Sequence, residues 1–110
     1  MSRESIGEFE QLVLLAILRL GPEAYGLPIL DEITSQTGRA VLRPAVYVAL
    51  RRLEQKGLVT SREGEETASR GGRARRYFDV TPDGVGRLKD ARKALITMWD
   101  GLQPVLDEPS

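Results

Sequence analysis

Proline and glycine cut this 110-residue chain into short lengths, and that punctuation constrains the fold more than any other feature. Gly21-Pro22, Gly38, Gly57 and Pro104 each mark a helix stop. Pro28, Pro44 and Pro82 fall where a first helical turn accepts a residue that has no backbone N–H. No helix can run through these points, so each segment between them has its own periodicity.

Residues 8–20 carry Phe9, Leu12, Val13, Leu15, Ala16, Ile17 and Leu20 at helical spacing, with a broad buried face. Ser5 followed by Glu8 reads as a capping box at its start. A second helix is expected over 26–36, with Leu27, Leu30 and Ile33 inward. The link Arg39-Ala40-Val41-Leu42 has the composition of a brief strand. A third helix opens at Pro44 and closes at Gly57, with Val46, Leu50 and Leu53 on its core side. Two strands follow, over 58–63 and 76–81. Phe78 and Val80 share one face of the second, Tyr77 and Asp79 the other. The stretch 64–75 has no core-forming side chain and reads as a flexible hairpin loop with a basic second half. Thr81 is a good N-cap for a last helix reaching Gln103, about 33 Å long at 1.5 Å per residue. Gly84 and Gly86 lie in its first turns, where they relieve crowding. That length exceeds what a small core needs. Val85, Leu88, Ala91, Leu95, Met98, Trp99 and Leu102 form one stripe along it, the pattern of a seam with a second copy. The end of the chain, 106–110, is expected to fray.

The chain has no cysteine and no histidine, which removes disulfides, thiolate metal sites, thiol nucleophiles and the commonest general base. Neither a phosphate-binding Gly-x-x-x-x-Gly-Lys loop nor a dinucleotide glycine motif occurs. The expectation is therefore no enzyme, no cofactor and no metal. No apolar run is long enough to cross a bilayer, and the first residues lack a signal-peptide layout, so a cytoplasmic location is expected. The formal net charge is zero, but it is segregated. Residues 1–37 carry two bases against six acids, and residues 82–110 four against five. Residues 38–81 carry ten bases against five acids, a net +5 in one block.

The predicted order is helix, helix, helix, strand, basic loop, strand, long helix. That is α+β and mostly α: a winged helix-turn-helix with a long C-terminal dimerisation helix. It divides into a DNA-binding part over 1–81 and the dimerisation helix and tail over 82–110. In such an arrangement the third helix enters the major groove and the hairpin reaches an adjacent groove or backbone. On the third helix the expected DNA-contacting residues are Arg43, Ala45, Tyr47, Val48, Arg51 and Arg52. Arginine forks onto guanine or clamps phosphate, and small apolar side chains meet thymine methyls. Tyr47 has two readings, a phosphate donor or a ring packed at the helix base. In the hairpin the expected residues are Arg70, Arg73, Arg75 and Arg76, beside Gly71-Gly72, which lets backbone approach a groove wall.

Four stretches carry a family likeness: Gly7-Glu8-Phe9-Glu10 with 12–18, Ala24-Tyr25-Gly26-Leu27-Pro28-Ile29, Val46-Tyr47 through Leu58-Val59, and Gly71-Gly72 through Asp83-Gly84. Together they resemble the PadR-like transcriptional regulators over roughly residues 7–100. The resemblance implies a homodimeric repressor of operator DNA, of the short subgroup with one dimerisation helix. It also implies that Trp99, on the seam, either packs the dimer or lines a pocket for a flat, apolar effector. One departure stands out. Relatives often have a small pair before the helix tyrosine, whereas this chain has Pro44-Ala45 before Val46-Tyr47, and proline offers a phosphate no N–H. The partners implied are double-stranded DNA and a second copy of the chain, with no membrane. The alternative is a winged helix used only for protein interaction, which would not need arginines on both the third helix and the hairpin.

Overall fold

The computed structural model describes residues 6–66 and 74–108, except for the side chains of Glu65, Glu66 and Ala74. Its elements are α1 (Glu8–Leu20), a 3-10 turn (Gly21–Glu23), α2 (Gly26–Thr37), α3 (Arg43–Gln55), β1 (Val59–Glu66), β2 (Ala74–Val80), α4 (Pro82–Trp99) and α5 (Gln103–Leu106). This is a mostly helical α+β winged helix. Three helices pack around one core, a two-stranded antiparallel sheet closes it, and α4 leads away.

Apolar burial explains the arrangement. Val13, Leu14 and Ile17 of α1 meet Ile29 and Ile33 of α2 and Val46, Leu50 and Leu53 of α3. Leu58, Val59 and Phe78 cover them from the sheet. Two expected inward residues are not inward. Leu15 of α1 and Leu27 of α2 are exposed, and Ile29 fills the place expected of Leu27. Both helices are apolar on more than one side, so periodicity alone does not choose the buried face.

The helix starts show where local signals are weak. The N-cap of α1 is Gly7, whose N–H donates to the Glu10 carboxylate at 3.2 Å. The capping box expected at Ser5 and Glu8 is displaced by two residues, because Glu8 is already helical; Ser5 lies outside the described residues. In α2, Gly38 ends the helix in the left-handed conformation, its N–H returning to the Thr34 carbonyl at 2.9 Å. Helix α3 begins at Arg43 and ends at Gln55, slightly earlier at both ends than expected.

The sheet also differs from expectation. Segment 39–42 forms no strand. The additional pairing lies instead at Tyr25, which bridges Tyr77, while the Phe78 N–H donates to the Ala24 carbonyl at 2.8 Å. The free edge of β2 runs past the start of α2, so the pairing partner comes from there. Both strands extend into the expected loop, to Glu66 and from Ala74, with a register shift between Glu63 and Glu66. Backbone pairing does not require apolar side chains, so polar sequence hid these rungs. The rest of that loop, 67–73, lies outside the described residues.

Helix α4 starts as expected. The Thr81 side chain accepts from the Gly84 N–H at 3.0 Å and donates to the Gly57 carbonyl at 2.9 Å. It ends at Trp99, earlier than the expected Gln103, because Asp100 leaves the helix and Gly101 takes φ +82°. Pro104 then sits in the first turn of α5 instead of stopping α4. Only Gly84 of α4 is buried, and the radius of gyration is 16.2 Å, against about 13 Å expected for a compact chain of this length. Among the described residues no helix is long and apolar enough to cross a membrane.

The two early glycines of α4 are not equivalent. A Cβ on Gly84 would fall on the Leu58 carbonyl oxygen and 2.7 Å from Val80 Cγ1, whereas one on Gly86 meets nothing within 4 Å. Gly84 therefore lets α4 dock on the sheet base, and the crowding expected at Gly86 is absent. Gly84→Ala should lower unfolding free energy by about 2 kcal/mol, in the range for overpacking. Gly86→Ala should raise it by about 0.5–1 kcal/mol through helix propensity. Urea melts at one fixed protein concentration check both signs.

Candidate nucleic-acid interface

Helix α3 is held by Val46, Ala49, Leu50 and Leu53, all buried. That fixes its rotation, and Pro44, Val48, Arg51 and Gln55 then line the opposite side at i, i+4, i+7 spacing. Ala45 and Arg52 flank this line toward α1, where they border a cleft of about 570 Å³ with Phe9, Pro44 and Val48. Tyr47 flanks it toward α2. Its hydroxyl occupies the space that a Cβ on Gly26 would take, so Gly26 makes room for the ring at the start of α2. The ring-packing reading of Tyr47 accordingly has a contact behind it, although the side chain stays half-exposed.

The basic block separates into two groups. Among the described residues, four of its cations are ion-paired within the chain. Arg39 contacts Glu8 at 2.7 Å, Lys56 contacts Glu10 at 2.9 Å, Arg62 contacts Asp79 at 3.6 Å and Arg76 contacts Glu63 at 3.6 Å. The Lys56–Glu10 pair is half-buried and ties the end of α3 to the start of α1. By contrast, among the described residues, Arg43, Arg51 and Arg52 have no ion pair or hydrogen bond from their side chains, and all three are exposed. The N-terminus of α3 carries no acid in its first turn, and its N-cap, Leu42, supplies no side-chain cap. Arg43 thus sits at the positive end of the helix dipole with no local anion, an unfavourable arrangement in the free protein.

In the hairpin, adjacent arginines diverge because successive strand residues point to opposite faces. Arg76 lies on the α3 side, where it donates to Ser61 at 2.8 Å, and Ser61 in turn donates to Glu54 of α3 at 2.6 Å. Arg75 lies on the outer face, its guanidinium 4.5 Å from the centre of the Tyr25 ring. The Tyr77 hydroxyl beside it favours the charged guanidinium further. Arg62 stacks on Tyr77 at 4.9 Å, and Tyr25 and Tyr77 meet edge to face at 5.4 Å. This aromatic clamp joins the hairpin base to the start of α2. It was not anticipated, since Tyr25 and Tyr77 are far apart in sequence and the residue types alone signal no pairing. Arg70 and Arg73 lie outside the described residues.

The stripe expected on the last helix is mostly exposed. Leu88 packs partly on the core, and Val85 and Ala91 are half-buried. Leu95, Met98 and Trp99 are exposed, and Leu102 falls beyond the end of α4, on the turn before α5. Leu15 and Leu18 of α1 face the same space. Together with Val85, Leu88, Leu95, Ile96, Trp99 and Leu106 they line an open apolar groove of about 700 Å³. Helical spacing places Leu15 in the core, so the α1 side of this groove is not legible in the sequence.

Comparison with known proteins agrees with this architecture. The PadR-like family of transcriptional regulators matches residues 14–90. A transcriptional regulator from Clostridium thermocellum superposes with a TM-score of 0.70 at 25% identity, covering 86% of this chain and 89% of that one. A PadR family transcriptional regulator from Eggerthella lenta gives 0.67 at 25% identity, covering 93% and 88%. A PadR-like regulator from Bacillus cereus has the same fold, with 0.70 at 18% identity, covering 92% and 93%. Among curated protein sequences, none matches the chain significantly. With the family matched across most of its length and the winged helix in place, the chain belongs to the PadR-like transcriptional regulators.

Proposed function

We propose that this regulator is a DNA-binding repressor that acts as a homodimer, with α3 in the major groove and the β1–β2 hairpin beside it. One observation carries the reading: among the described residues of the basic block, the cations left without a protein partner are Arg43, Arg51 and Arg52, all on the exposed side of α3. A guanidinium with no internal partner is available to phosphate or to guanine. A phosphate at the start of α3 would also offset the unfavourable position of Arg43. Pro44 brings no N–H to such a contact, and the Ala45 N–H already donates to the Leu42 carbonyl at 3.0 Å, so side chains carry the phosphate binding. Tyr47, Ala45 and Val48 complete the α3 surface. Arg76 reaches DNA from the hairpin on the same side as α3; Arg70 and Arg73, outside the described residues, belong to the same proposed interface. Arg75 contributes from the outer face, where Tyr25 holds it.

The apolar groove supports the dimer. Leu95 is 57% and Met98 76% exposed, more apolar surface than a free helix of this size keeps in water without a partner. A second copy covering Val85, Leu88, Ala91, Leu95, Met98, Trp99 and Leu102 would set two α3 helices about one helical turn of DNA apart, 34–36 Å, on an inverted repeat. Trp99 sits in this groove, so it packs the dimer in the first instance. An apolar effector entering the groove would change the angle between the two winged domains.

Fluorescence polarisation with genomic fragments enriched by in-vitro selection tests the proposal. The six α3 arginines of the dimer alone predict a slope of log K against log salt of about −5, the hairpin arginines steepen it further, and Arg51→Ala should reduce its magnitude by about 2. Arg51→Glu with Arg52→Glu should weaken binding by more than about a hundredfold, taking 1–3 kcal/mol per lost contact. Sedimentation should show that variant still dimeric. Leu95→Glu should give monomers, with DNA binding lost as a consequence. Selected fragments without two-fold symmetry, or a salt slope near zero, would defeat the reading in favour of a protein-interaction module.

A further inference from the structure

The base contacts of α3 are dominated by methyl groups: we propose that Leu42, Ala45 and Val48 read the 5-methyl groups of thymines, while Arg43, Arg51 and Arg52 supply phosphate and guanine contacts. This rests on the DNA-binding reading above and names what that surface recognises.

Leu42 is the first reason. It is the N-cap of α3, a position that favours Ser, Thr, Asp or Asn, and it gives the helix no cap. It is also 76% exposed, so its isobutyl group lies in water. Neither property stabilises the free fold. Val48, one of the residues opposite the buried face, is 43% exposed, and Ala45 is exposed beside it. With Pro44 they form an apolar tip at the end of the helix that reaches base edges in helix-turn-helix proteins.

The side chains that are missing are the second reason. Adenine is read by Asn or Gln forks and cytosine by Asp or Glu acceptors. The exposed residues of α3 as far as Arg52 are Arg43, Pro44, Ala45, Tyr47, Val48, Arg51 and Arg52, and none is of those types. Glu54 is engaged by Ser61 on the hairpin side. Gln55 is the last residue of α3, about 18 Å along the axis from Arg43. The Tyr47 hydroxyl lies against Gly26, so what the tip can offer a base edge is guanidinium or hydrocarbon. The thymine methyl is the one apolar group on the major-groove edges. The surrounding unpaired arginines suit a polyanion and disfavour an apolar protein surface as the occupant of this tip.

Uracil differs from thymine in the major groove only by that methyl group. Duplexes selected by the wild-type protein are amplified with either dTTP or dUTP and compared by polarisation at one salt concentration. Loss of one buried methyl corresponds to about fourfold in affinity, so two symmetric half-sites should lose at least about tenfold on uracil substitution. The variant Leu42→Ala with Val48→Ala changes only exposed side chains. It should bind thymine duplexes more weakly than the wild type and discriminate between the two duplexes at least about fourfold less, Ala45 keeping the remainder. Equal wild-type affinity for both duplexes overturns the assignment while leaving DNA binding intact. So does a double variant that keeps full discrimination. Failure to bind either duplex overturns the DNA-binding reading as well.

Discussion

The rotational setting of α3 is the constraint on which the other features depend. Val46, Ala49, Leu50 and Leu53 are packed into the core between α1, α2 and the sheet, and a helix so anchored has no freedom to turn about its axis. Everything α3 presents to solvent follows from that packing. Arg51 and Val48 are outward because Leu50 and Ala49 are inward. The apolar core therefore sets the exposed surface of α3 through geometry, without touching it.

Charge pairing then selects which cations that surface keeps. The ion pairs at Glu8, Glu10, Glu63 and Asp79 are mostly exposed and individually contribute little to stability. Their consequence is placement. Arg39 and Lys56 lie over the Glu8 and Glu10 carboxylates, at the α1 edge of the same cleft that Arg52 borders. Ser61, Glu54 and Arg76 link the hairpin to α3, and the Tyr25–Tyr77 clamp with Arg62 and Arg75 secures the opposite face of the sheet. The hairpin base is thus held on both faces, which sets its direction relative to α3.

At its other end the molecule keeps an open groove. Thr81 and Gly84 bring α4 tightly onto the sheet base, through the Gly57 and Leu58 carbonyls. Beyond Leu88 the helix leaves the core; Leu95, Ile96 and Trp99 stand exposed beside Leu15 and Leu18 of α1, and Met98 is exposed as well. Gly57, Leu58 and Thr81 thus join the end of α3, the base of the hairpin and the start of α4.

Local chemistry settles much of this protein before any fold exists. Proline and glycine placement separates the helices, Thr81-Pro82 starts the last one, and the alternation around Phe78 orients the second strand. Each of these depends on backbone sterics or on a hydrogen bond only a few residues long. Tertiary structure alone decides which apolar face of α1 is buried, where β2 finds its extra partner at Ala24–Tyr25, and where α4 stops. It also decides which arginines are free. A guanidinium is the same in sequence whether its neighbour in space is Glu8 or solvent, and that neighbour comes from distant parts of the chain brought together by burial of the core.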